Sequence, residues 1–111
     1  MATQQDLAED VLIRVLAVQD RNDTIPNADA ESVKNAYAKL LEKLRDDGIA
    51  YWDLNDIPEV VFIDLADYVG SKVAPSFGVV GSQGLERSAL RELRRHIRKK
   101  RSNEPVKAQY F

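Results

Sequence analysis

Residues 57–77, IPEVVFIDLADYVGSKVAPSF, constrain the fold most, because no other stretch is apolar around so much of its circumference. Pro58 suits a first helical turn, where a missing N–H costs nothing, and Pro75 with Gly78 close the far end. The pattern predicts a central helix over 58–73, with Val61, Leu65, Ala66, Val69 and Val73 on one face. Val60, Phe62 and Ile63 widen that face to the pattern of a helix buried on most sides.

Other elements must cover this helix. Thr3 followed by Asp6 forms a shortened capping box, and Leu7, Val11, Leu12, Val15, Leu16 and Val18 give a first helix an apolar side that ends near Gln19. Residues 20–27, DRNDTIPN, read as a loop with Ile25 as its one apolar pin. A second helix is expected from a cap at Asp29, with Val33, Tyr37, Leu40, Leu41 and Leu44 inward and Gly48 as its stop. Residues 49–55, IAYWDLN, form a connector, turn or small strand, in which Trp52 covers the end of the core or serves as a contact anchor. After the flexible turn GVVGSQG, a fourth helix begins at Ser82 or Gly84 and runs to about Arg101. The expected fold is therefore all-α: a bundle of about four helices over residues 1–101 and an extended C-terminal docking arm over 102–111.

At 111 residues the chain holds one domain. It has no cysteine, which removes disulfide and thiolate chemistry and agrees with a reducing compartment. Asp6, Glu9, Asp10 and Arg14 interrupt the first 20 residues, and no run of 18 uncharged apolar residues occurs. Neither a secretory leader nor a membrane span is expected.

The net charge of −2 hides a division. Residues 82–111 hold nine Lys/Arg against three Asp/Glu, while residues 1–81 hold seven against fifteen. An acidic body thus carries a basic end, which suits a polyanion or the acidic surface of a neighbouring copy or partner. In the fourth helix Leu90, Leu93 and Ile97, with Ala89, form a narrow seam. Arg87, Arg91, Arg94, Arg98 and Arg101 recur at spacings of four and three as a stripe roughly a quarter turn away, broadened by Arg95, Lys99 and Lys100. The terminal SNEPVKAQYF sets Val106, Ala108 and Tyr110 in alternation with Lys107, Gln109 and Phe111, the pattern of an extended segment docked on a surface.

Signs of catalysis are few. His96 is the only histidine and, set among arginines, is expected at the surface; with no cysteine, neither a Ser/His/Asp arrangement nor a zinc site of ordinary composition can be assembled. Gly78, Gly81 and Gly84 lack the order of a phosphate-cradling loop and read as a hinge. Asp53, Asn55, Asp56 and Glu59 lack the turning glycine of a calcium-binding loop and are expected to cap the central helix. No enzymatic activity, cofactor or metal is expected. Two functional classes fit the basic end: an assembly protein whose arginine stripe and aromatic tail dock neighbouring subunits, and a small helical nucleic-acid binder. The acidic body and the pI of about 5.4 weigh against the second.

The succession of a short first helix, LLEKLRDDGIAYW at 40–52 and LADYVGSKVAPSFG at 65–78 resembles the head-to-tail adaptor (connector) proteins of tailed bacteriophages, including the tail accessory factors of short-tailed phages. The phrases that carry it are Asp47 with Gly48, Tyr51 with Trp52, and Ala74, Pro75, Phe77 and Gly78, over about two thirds of the chain. They are helix-ending and packing signals rather than catalytic signatures. The resemblance implies a helical bundle made in the host cytoplasm and built into the virion as a ring of twelve copies beneath the portal protein. Such a ring extends the channel through which packaged DNA passes and presents a platform to a tail protein. It also implies a C-terminal arm that engages the portal or an adjacent adaptor, carried here by position onto Val106, Tyr110 and Phe111. Some relatives are linked to peptidoglycan hydrolysis; no acid and nucleophile pair emerges here, and that activity is not expected.

Overall fold

The computed structural model describes residues 2–18, 25–81 and 83–103, the last four without their side chains. It is a compact all-α domain of four helices, with no strand among the described residues. The first helix, α1 (Gln4–Asp10), continues into a π-helical turn (Val11–Val15). It is followed by α2 (Asn27–Asp46), α3 (Glu59–Val73), a 3-10 turn (Ala74–Phe77) and α4 (Gln83–Asn103).

Local chemistry sets most boundaries. Thr3 caps α1 through a complete capping box: its hydroxyl accepts from the Asp6 N–H at 3.3 Å, and Asp6 accepts from the Thr3 N–H at 3.1 Å. Asn55, 51 positions along the chain, accepts from the Gln4 N–H at 3.1 Å. Its partners in the expected cap at α3 behave differently too, since Asp53 pairs with Arg45 and no side chain caps α3 at all. Pro58 sits just before α3 in extended geometry, one residue earlier than expected.

Two glycines end helices in the left-handed conformation that side chains resist. Gly48 has φ +74 and Gly78 φ +71. Each is followed by a residue whose N–H reaches back five positions, Ile49 to the Leu44 carbonyl at 2.8 Å and Val79 to that of Ala74 at 3.0 Å. The α2 start is corrected: the helix begins at Asn27 after Pro26, so Asp29 lies inside its first turn, where its negative charge complements the helix dipole. The first helix also stops earlier than expected. Ala17 takes φ +54, the Val18 N–H bonds the Leu12 carbonyl at 3.0 Å, and Val18 is exposed. The expected helix end at Gln19 and residues 20–24 of the expected loop lie outside the described residues; Ile25 does pack against the core.

The core is continuous and contains Leu7, Leu12, Leu16, Val33, Tyr37, Leu41, Leu65 and Val69. α3 is its centre, touching α1, the π-helical turn, α2 and α4. Its circumference is less fully covered than its composition suggests. Val60 and Ile63 are 67% and 60% exposed, because the three covering helices leave one side of α3 open, whereas Tyr68 on the covered side is buried. An antiparallel bridge ties Ala2 to Ile57, just before α3, the two backbones exchanging hydrogen bonds of 3.0 and 2.9 Å.

Trp52 is buried and closes the end of the core. Its indole Nε1–H donates to the Tyr37 hydroxyl at 3.2 Å, which donates in turn to the Leu54 carbonyl at 3.4 Å. Tyr37→Phe leaves the indole N–H without an acceptor in the core and should cost about 1–3 kcal/mol in denaturant unfolding. Burial pushes the Tyr37 phenol up to about 12, opposed by the Trp52 hydrogen bond and the charge of Arg45. The folded state therefore holds this proton more tightly than the unfolded chain, whose phenols ionise near pH 10. The resulting stabilisation is complete below about pH 10 and is lost as the pH rises toward 12. Unfolding titrated over that range should fall more steeply in the native protein than in Tyr37→Phe; parallel curves would contradict it.

Candidate partner interface

The basic end forms a continuous helix because Leu, Glu, Arg and Ala, all good helix formers, follow the Gly78 stop and the turn after it. Two polar pairs fix how α4 lies on α3. Glu86 meets Lys72 at 3.1 Å and His96 Nε2 meets Asp64 Oδ2 at 3.1 Å, so rising positions in α4 oppose falling positions in α3. The helices form an antiparallel hairpin. Ala89 and Leu93 are buried in its seam, with Leu90 and Ile97 partly covered.

This register decides where the arginines go. Arg87, Arg91, Arg94 and Arg98 are all exposed, on the side of α4 turned away from α3. No ion pair among the described residues engages any of the four. Arg101 falls in the last turn of α4, where only the backbone is described. Val106, Tyr110 and Phe111, the candidate arm contacts, lie outside the described residues. The structure thus groups four of the candidate partner-binding residues on one face.

The exposed side of α3 adds a feature that the sequence pattern assigned to the core. Val60 and Ile63 stand open to solvent, and Ala2, Asp6, Glu59, Phe62 and Ile63 line a shallow groove beside them. A second, open cavity of about 130 Å³ lies where Val15, Gly70 and Ala74 meet Val79 and Leu85. Both are predominantly apolar.

Ionised groups elsewhere mostly brace the helices. Arg14 pairs with Asp10 at 2.9 Å and Asp67 at 3.0 Å, joining the π-helical turn to α3. Partial burial works against its charge, but the bonds to both carboxylates hold its pKa above the ordinary value. Burial likewise raises the Tyr68 phenol, while the ammonium of Lys72, 5.8 Å from the ring centroid, pulls it down.

His96 corrects a sequence expectation. It is half-buried against Asp64 rather than free at the surface, because the hairpin register brings position 96 beside position 64. In the glycine-rich segment the Gly78 N–H is spent on the Ala74 and Pro75 carbonyls. No described helix is long and apolar enough to cross a membrane. Comparison of the chain with protein-family models, curated proteins and solved structures finds no match.

Proposed function

We propose that this protein is a structural assembly protein of the head-to-tail adaptor kind, docking beneath a phage portal and offering a platform to the tail. The observation that carries the reading is the stripe of Arg87, Arg91, Arg94 and Arg98, exposed and outside any described ion pair, on a chain whose remaining surface is acidic. Such a molecule is complementary to its own copies: the basic face of one can meet the acidic body of the next, which sets register and speeds encounter. Val60 and Ile63 supply uncovered apolar area of the kind that interfaces bury. In this reading residues 105–111 form a second contact, with Val106, Tyr110 and Phe111 as anchors, and a ring multiplies the weak single contacts. DNA passes through the ring without sequence-specific recognition.

Mass measurement of the protein alone and mixed with its portal tests the proposal. The native chain should join the portal in a multi-copy complex. Arg91→Glu combined with Arg94→Glu should lower that association at least tenfold while leaving helical content unchanged, because both side chains are exposed. Removing residues 105–111 should weaken the same complex. Duplex DNA binding at physiological salt, lost on the same charge reversal and unaccompanied by portal binding, would overturn the reading in favour of a nucleic-acid binder.

A further inference from the structure

On the other flank of the α4 seam from the arginine stripe, three side chains of metal-ligating type converge. Glu92 and His96 are four residues apart and project from the same side of α4, and Asp64 reaches them from α3. One donor atom from each lies within 4.8 Å of the others, and all three residues are half-buried. The sequence lacks the Cys/His sets of ordinary zinc sites, but a mixed set of one imidazole and two carboxylates becomes visible once the hairpin register is known.

We propose that Asp64, Glu92 and His96 bind a divalent transition-metal ion of the zinc type, which clamps α3 to α4. A zinc ion sits about 2.0–2.2 Å from nitrogen and oxygen donors, so its tetrahedral ligands lie roughly 3.3–3.6 Å from one another. The 3.1 Å between His96 Nε2 and Asp64 Oδ2 is already near that separation, and turning the Glu92 carboxylate brings in the third donor. The imidazole selects the ion, because magnesium and calcium prefer all-oxygen sets. Two carboxylates offset the divalent charge, and water fills the fourth position.

Two existing contacts compete with the ion. The His96–Asp64 hydrogen bond is replaced by ligation through the same two atoms. Arg95 Nε holds Glu92 Oε1 at 2.9 Å, but Arg95 is exposed, a setting in which ion pairs contribute little, and a carboxylate has a second oxygen with which to meet the metal. The clamp links helices that are consecutive in the chain and does not depend on the assembly reading; failure of either leaves the other standing.

The test uses the full chain, stripped with a chelator and titrated with zinc chloride by calorimetry and thermal unfolding. One zinc ion should bind per chain and raise the melting temperature, and magnesium chloride at the same concentration should do neither. His96→Ala, Asp64→Asn and Glu92→Gln should each weaken zinc binding at least tenfold. Cobalt(II), substituted for zinc, should give the visible absorption of a tetrahedral site and lose it in His96→Ala. Absence of zinc binding, or zinc binding unchanged in all three variants, would overturn the proposal. Because the three positions are half-buried, circular dichroism of each metal-free variant checks that it is folded; Glu92→Gln, isosteric and at the most accessible of the three positions, is decisive should the others unfold.

Discussion

Replacing Leu65 by Ala should lower the stability of the protein by about 2–5 kcal/mol, the range for truncating a fully buried leucine. Leu65 is completely buried at the middle of α3, where the helix is covered by the others, so truncation loses both transfer energy and contacts that the surrounding helices cannot restore by collapsing. The informative control is two residues away. Ile63 is equally apolar in sequence but 60% exposed, and Ile63→Ala should change stability by less than about 0.5 kcal/mol. Urea unfolding of the two variants reports the rotation of α3 about its own axis. Equal losses at the two positions would mean that the helix is buried on all sides, and a loss below about half a kilocalorie for Leu65→Ala would mean that its inward face is misassigned.

This pair also shows where sequence reasoning stops. Three helix ends were legible because their causes are local: Thr3 with Asp6 forms its box within four residues, and Gly48 and Gly78 take the left-handed geometry that glycine favours. The far end of the first helix, where α1 runs into the π-helical turn, has no such punctuation. It ends at Ala17, a residue type that avoids positive φ, so the stop is imposed by packing rather than by Gly or Pro. Apolar composition around α3 predicted burial at Val60 and Ile63, but how many helices surround a helix is a property of the whole fold. Likewise the place of Asn55 in the sequence suits a cap for the nearby α3, yet its side chain accepts from the first turn of α1, since its partner is fixed by the Ala2–Ile57 bridge. The arginine stripe was legible from helical spacing alone. The meeting of His96 with Asp64 was not, because it depends on the register of the α3–α4 hairpin; Glu92 and His96 at a spacing of four were the only local hint.

Gly70 is the residue whose importance the sequence concealed most completely, and its replacement should reverse a familiar rule. Inside an ordinary helix, Gly→Ala gains up to about 1 kcal/mol through helix propensity. Gly70 lies within α3 with helical geometry and is buried, yet a Cβ built there would collide with Val15 Cγ1 and come within 3.0 Å of Val15 Cβ. Val15 is β-branched and stiff at χ1, and its own Cβ is part of the obstruction, so a change of rotamer cannot clear the space. The π-helical turn must move away from α3, opening the contact that also includes the Arg14–Asp67 pair. Overpacking costs typically about 1–3 kcal/mol, enough to outweigh the propensity gain, and Gly70→Ala should therefore destabilise. Val15→Ala removes the colliding methyl and should restore part of the loss, so that the double variant is more stable than the two single losses predict by at least about 0.5 kcal/mol. A neutral or stabilising Gly70→Ala, or strict additivity with Val15→Ala, would show that the first helix does not rest on α3 through this glycine.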